Sequence, residues 1–176
     1  PAELGIYFLS EAYLNIISVG SSFGINGGIE KRISGGKDSN TVFSTGLSLL
    51  VVSTTVISVI TFILISIFDV FQSDTIPIYL AIAVLLRAFS LALEHALRGK
   101  LRVGETASLR LLRQLIWLSV SILAYETLSI KSEALILGLI FGNLVMVLFC
   151  IYKLDISLVM PKMSTAKSLW NYSRYD

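Results

Sequence analysis

Apolar residues run in long blocks along this chain, and polar residues gather between the blocks. No residue from Ser39 to Phe68 is charged, and none from Ala134 to Tyr152. Uncharged, mostly apolar runs of roughly 18 residues or more mark membrane spans, because about twenty helical residues cross a hydrocarbon core of about 30 Å. The pattern predicts five such segments. They are Leu4–Ile29, which carries Glu11 and Asn15; Thr41–Phe68, the longest; Thr75–Leu97, with Arg87 inside it; Ser108–Tyr125, the weakest, with Arg110 and Arg113 in its first turns; and Ala134–Tyr152. Each is predicted to be a helix, since the alternation of a barrel strand is missing and only a helix satisfies its own backbone in hydrocarbon. The second segment exceeds the bilayer thickness and is expected to tilt or extend past it.

Charge orients the segments. Lys31, Arg32 and Lys37 follow the first segment. Arg98, Lys100, Arg102, Arg110 and Arg113 follow the third, counted into the start of the fourth, and Lys153, Lys162, Lys167 and Arg174 follow the fifth. The connection after the second segment holds Asp69 and Asp74 but no basic residue, and that after the fourth holds Lys131. Of the 14 Lys and Arg residues, only Lys131 and Arg87 depart from this single face. Positive charge collects on the cytoplasmic side, so the chain is expected to be a multi-pass protein of the cell membrane. Its N-terminus would lie outside and its C-terminal tail in the cytoplasm. Composition points the same way: 55% of residues are hydrophobic and 15% charged, against about 25% charged in soluble domains. A soluble enzyme, a disordered tail and a disulfide-stapled module are disfavoured. The single cysteine, Cys150, forms no internal disulfide and reads as a small buried hydrophobe. The net charge of +2 adds little as a total, and nothing points to nucleic acid. The chain opens on Pro1 and leads at once into an apolar stretch, without the basic n-region of a signal peptide. A piece of a longer membrane protein is expected.

Candidate chemistry is sparse. Arg87 falls midway along the third segment. An ionisable residue at the bilayer centre costs about 2.5–3.5 kcal/mol on insertion scales and faces the bundle interior or a hydrated cavity. Roughly ten residues of helix, ~15 Å, separate it from either end, too far for snorkelling. Its guanidinium suits an anionic substrate such as a phosphate, which it binds through two parallel hydrogen bonds; the structural alternative is an ion pair with Glu11. Glu11, Asn15, Ser18, Ser22 and Asn26 recur on one helical face, and that stripe either lines a cavity or bonds a neighbouring helix. The second segment is rich in hydroxyls, among them Ser44, Thr45, Ser53 and Thr54, which read as packing contacts. Gly138 and Gly142 match GxxxG and permit close helix approach, with intramolecular packing favoured over dimerisation; Asn143 beside them is strongly polar. His95, the one histidine, reads as a solvated interface group. Gly35-Gly36-Lys37 lacks the register of a phosphate-binding loop, no cluster has metal spacing, and no cofactor is expected. The tail from Met160 suits an amphipathic helix on the cytoplasmic interface or a connector to a further span.

These residues carry a resemblance. Pro1-Ala2-Glu3-Leu4-Gly5-Ile6-Tyr7 resembles the start of the second transmembrane helix of polysaccharide flippases, the exporters of O-antigen and lipid-linked oligosaccharide in the MOP superfamily. Ser22-Phe23-Gly24-Ile25 and Gly27-Gly28-Ile29-Glu30-Lys31-Arg32-Ile33-Ser34 look like the glycine-marked end of that helix and its basic loop, although many members carry an acid where Ser22 stands. Ala96-Leu97-Arg98-Gly99-Lys100-Leu101-Arg102 is similar to the connection after the fourth helix, and Ser168-Leu169-Trp170-Asn171-Tyr172-Ser173 to the linker before the seventh. The resemblance implies an all-α integral membrane bundle of about five transmembrane helices, part of a MATE-like six-helix lobe. Residues 1-157 would be helices two to six of the N-terminal lobe, and 158-176 a cytoplasmic linker toward a second lobe. It further implies a transporter, not an enzyme. By alternating access it would move a lipid-linked polysaccharide precursor across the cytoplasmic membrane, through a cationic cavity that Arg87 suits. Its partners would be membrane lipids and the lipid-linked glycan.

A Na⁺- or H⁺-coupled drug or metabolite antiporter of the same superfamily is the alternative, with Glu11 as its coupling carboxylate. A membrane-embedded glycan polymerase is disfavoured, because the outward connection Glu126–Glu133 is too short for its active-site loops.

Overall fold

The first apolar segment breaks where its glycines begin. In the computed structural model, which describes residues 2–67, 75–128, 131–154 and 157–173, helix α1 (Ala2–Ser22) stops at Phe23 and Gly24. Both take left-handed backbone angles, φ 42° and 72°, a conformation that glycine adopts without strain and that ends a right-handed helix. Helix α2 (Ile25–Ser34) starts at once, its Gly28 N–H donating to the Gly24 carbonyl at 3.1 Å. Ile25, Ile29 and Ile33 recur every four residues and are all buried, while Lys31 faces out. Half of the basic connection expected after the first segment is therefore helix, held by one apolar edge. Gly36, at φ 78°, closes it with an N–H donated to the Ile33 carbonyl.

Asp38 starts the next helix, α3 (Ser39–Ile67). Its carboxylate accepts from the Asn40 and Thr41 amides at 3.3 and 3.2 Å and from the Thr41 hydroxyl, the geometry of an N-cap. Those bonds, that of the Thr41 side chain above all, hold the Asp38 carboxyl below its ordinary value. A carboxyl depressed on folding adds stability above its unfolded pKa and loses it as pH falls through the folded value. The melting temperature of the wild type should thus exceed that of Asp38→Ala near neutrality, and the gap should close below about pH 4. A gap independent of pH would show that the charge contributes nothing.

Helices α4 (Thr75–Gly99), α5 (Val103–Leu128), α6 (Lys131–Leu154) and α7 (Met163–Ser173) complete the chain, and among the described residues all regular structure is helical. Among the described residues, four helices, α3 to α6, are long and apolar enough to cross a membrane. The fifth expected span, α1, has 21 residues but is not among them; Glu11, Asn15 and its serines dilute the apolar run. The connection with Asp69 and Asp74, the end of the second segment at Phe68, and Arg174 lie outside the described residues. Val52, Val56, Val59 and Ile63 of α3 and Leu111, Leu115, Leu118 and Ile122 of α5 are exposed. Apolar side chains facing outward suit a protein surrounded by hydrocarbon.

Helix α4 is central, packed on α6, α3, α2 and α1, and α6 in turn packs chiefly on α5 and α4. One buried cluster joins α2, α3, α4, α5 and α6 and includes Cys150; a second joins α1, α3, α4 and α6. Gly138 and Gly142 of α6 lie against α5, where a Cβ on Gly138 would be 2.6 Å from the Trp117 carbonyl oxygen and one on Gly142 2.9 Å from that of Arg113. The GxxxG pair therefore works within the chain. The hydroxyls of α3 make packing contacts: Ser53 donates to the Ser21 carbonyl at 2.7 Å and Thr54 to the Ser21 hydroxyl at 3.2 Å. Others tie down the tail, Ser44 accepting from the Val159 amide and Thr45 from that of Lys162. Leu169 of α7 is fully buried, near Gly46 of α3, and the Trp170 ring lies 6.1 Å from that of Phe23.

Candidate functional site

A cavity of about 430 Å³ opens between α1, α4, α5 and α6. Helix α1 contributes Tyr7, Glu11 and Asn15, α4 contributes Arg87, α5 contributes Arg113, Gln114 and Trp117, and α6 contributes Gly142 and Asn143. The structure thus brings Arg87, Glu11 and Asn15 together. Ser18 and Ser22 do not line this cavity. Both are buried farther along α1 and turn back on their own helix, Ser18 donating to the Asn15 carbonyl at 3.2 Å and Ser22 to that of Val19 at 2.8 Å. The polar stripe divides into a cavity-lining half and a packed half.

Arg113 is the residue that sequence reasoning assigned elsewhere, to the basic connection. Helix α5 begins at Val103 rather than near Ser108, so Arg113 lies about ten residues, ~15 Å, into the helix and contributes to the cavity instead. Arg110 and Arg113 themselves lower the local hydropathy and hide the first turns of the span. The signal that identifies Arg113 is depth from the true helix start.

The ion pairs of the bundle leave both cavity arginines out. Among the described residues, Glu94 pairs with Arg98 at 2.5 Å and with Arg110, Glu30 with His95 at 2.7 Å, and Glu105 with Arg102 at 3.8 Å. Arg87 and Arg113 join none of these, so the Arg87–Glu11 ion pair, the structural alternative, is not formed among the described residues. Two guanidinium groups and one carboxylate, Glu11, line the cavity, which leaves it net cationic. Asn143 is already satisfied: its Oδ1 accepts from Ser90 at 3.0 Å and its Nδ2 donates to the Leu139 carbonyl at 2.8 Å. An aromatic wall completes the lining, with the Tyr7 and Trp117 rings stacked at 5.8 Å and 19°.

Toward the basic end of the bundle, Glu94 is buried at 1% exposure and joins α4 to α5 through Arg110. His95 is not a free interface group, since Glu30 of α2 holds its Nδ1. Lys100 and Arg102 donate to the carbonyls of Leu154 and Lys153 that end α6, the favourable location for cations at a helix C-terminus. These contacts engage Arg98, Lys100, Arg102 and Arg110 at the basic end. Arg87 and Arg113 face the cavity within the bundle, in surroundings of low dielectric where an anion with several acceptor oxygens fits best.

The chain is similar to known proteins along its whole length. A family described as polysaccharide biosynthesis protein matches residues 1–175. The chain is 32% identical over 177 residues to the probable low-salt glycan biosynthesis flippase of Haloferax volcanii, an alignment that covers 99% of this chain and 37% of that protein. The chain therefore spans little more than a third of the length of that curated relative. No solved structure matches it.

Proposed function

The chain belongs to the polysaccharide biosynthesis protein family, and from that premise we propose that it is part of a multi-pass membrane flippase that moves a lipid-linked glycan precursor across the cytoplasmic membrane by alternating access. The observation that carries this reading is the cavity with Arg87 and Arg113 in its wall and neither in an ion pair among the described residues. Fixed positive charge in a membrane bundle is costly, and a phosphate-bearing substrate offsets that cost each time it binds. The Trp117 ring, stacked on the buried Tyr7, offers apolar surface to a sugar or a lipid chain.

In this reading the polypeptide through residue 157 belongs to one lobe, and the segment from 158 leads toward a second. The face bearing Lys31, Arg32, Lys100 and Arg102 is cytoplasmic. Substrate enters between α1 and α5, binds the two arginines, and leaves when the lobes rock about the site.

In the full-length protein, Arg87→Ala should abolish glycan export while the protein still reaches the membrane in normal amount; undiminished export would remove Arg87 from the mechanism. The antiporter reading has one observation in its favour, that Glu11 lines the same cavity. Export driven by a Na⁺ or H⁺ gradient and lost in Glu11→Gln would identify Glu11 as a coupling carboxylate. Gradient-independent export would exclude that role.

A further inference from the structure

A second cavity, of about 400 Å³, lies between the end of α2, the start of α3 and α7, and shares no residue with the first. Arg32, Lys37 and Lys162 line it, together with Ser164 and Thr165 from the first turn of α7. The one carboxylate in the lining, Asp38, spends its oxygens on the first turn of α3. Arg32 donates one terminal nitrogen to the Ser168 carbonyl at 3.0 Å, while its Nε is buried and has no hydrogen-bond partner. Lys37 and Lys162 are exposed and belong to no ion pair among the described residues. Three cations and two hydroxyls therefore line one space, a donor set suited to a phosphate.

The segment entering α7 narrows the choice of phosphate. Leu158, Met160 and Met163 are 71%, 90% and 88% exposed beside this basic cavity. Exposed cations in a cavity and bare apolar side chains on the segment that enters it suit a membrane interface, where headgroups adjoin acyl chains. A free phosphate ion would use the cations but leave the apolar rim in water.

We propose that this cavity binds the phosphate of an anionic phospholipid headgroup, with the acyl chains against Leu158, Met160 and Met163. The bound lipid seats α7 on α2 and α3, so the segment leading out of the bundle is fixed to the membrane surface. The inference stands apart from the glycan cavity, since neither its residues nor its ligand are shared.

Native mass spectrometry of the full-length protein in a neutral detergent tests it, with phosphatidylglycerol, phosphatidylcholine and inorganic phosphate added separately. Phosphatidylglycerol should be retained in preference to phosphatidylcholine. The double variant K37Q/K162Q should weaken its retention roughly thirtyfold, by the usual contribution of two surface cations. K37R/K162R should keep the lipid, as should Lys167→Gln, which changes an exposed cation of α7 outside the cavity. Retention undiminished in K37Q/K162Q, or lost equally in Lys167→Gln, would overturn the proposal. So would inorganic phosphate binding as tightly as the lipid.

Discussion

Arg113→Gln should lower the proposed glycan export by the full-length protein as deeply as Arg87→Gln does. Both guanidinium groups line one cavity, and neither is engaged in an ion pair among the described residues. A hydrogen bond to a charged group contributes about 1.5–3 kcal/mol net, so removing either arginine should weaken substrate binding roughly 10- to 150-fold. Insertion cannot account for such a loss. Replacing a mid-membrane arginine by glutamine lowers the insertion cost, since a neutral amide is cheaper to bury than a charge, so the variants should reach the membrane at least as well as the wild type. Arg→Lys at either position keeps the charge but loses the planar fork and should fall between. If both arginines grip one phosphate-bearing group, a double-mutant cycle returns a coupling energy; if they grip separate groups, the effects add. Transfer of a fluorescent lipid-linked glycan in proteoliposomes reads all five variants, the double included. Wild-type transfer by Arg113→Gln would put that residue outside the substrate path.

How much of this was legible in the sequence depends on the range of the interaction. Uncharged runs are local, and α3, α4 and α6 fall where those runs predict. The depth of Arg87 was legible for the same reason. The depth of Arg113 was not, because two arginines in the opening half of a helix resemble the end of a loop until the helix start at Val103 is known. The break between α1 and α2 has a partial signal in Gly24, but Phe23 at positive φ is a residue that composition would not choose. The stripe Glu11–Asn15–Ser18–Ser22 was correct as a helical face, yet which half meets a cavity depends on where α5 and α6 cross α1. The partners of His95 and of Ser44 lie 65 and 115 residues away, and periodicity does not register such pairs.

The contact that most constrains the cavity is the close approach of α5 and α6, and Gly138 tests it. An alanine there gains about 1 kcal/mol of helix propensity over glycine. Against that gain, its Cβ would lie 2.6 Å from the Trp117 carbonyl oxygen, a backbone atom that moves only if the helices separate. Overpacking of this kind costs about 1–3 kcal/mol for small additions, so Gly138→Ala should lower the melting temperature and Gly138→Leu should lower it much further. Gly27→Ala is the control. Gly27 lies inside α2, and a Cβ added there would meet no atom within 4 Å, so propensity alone acts and the variant should be stabilised. The two alanines thus have opposite expected signs from one chemical change. Separation of α5 from α6 also displaces Arg113 and Trp117 from Leu139 and Asn143 across the cavity. Export should therefore fall in Gly138→Leu even at temperatures where the bundle stays folded, while Gly27→Ala exports normally. A Gly138→Leu protein with unchanged melting temperature and export would mean that this face of α6 meets lipid rather than α5, and the cavity would lose its α5 wall.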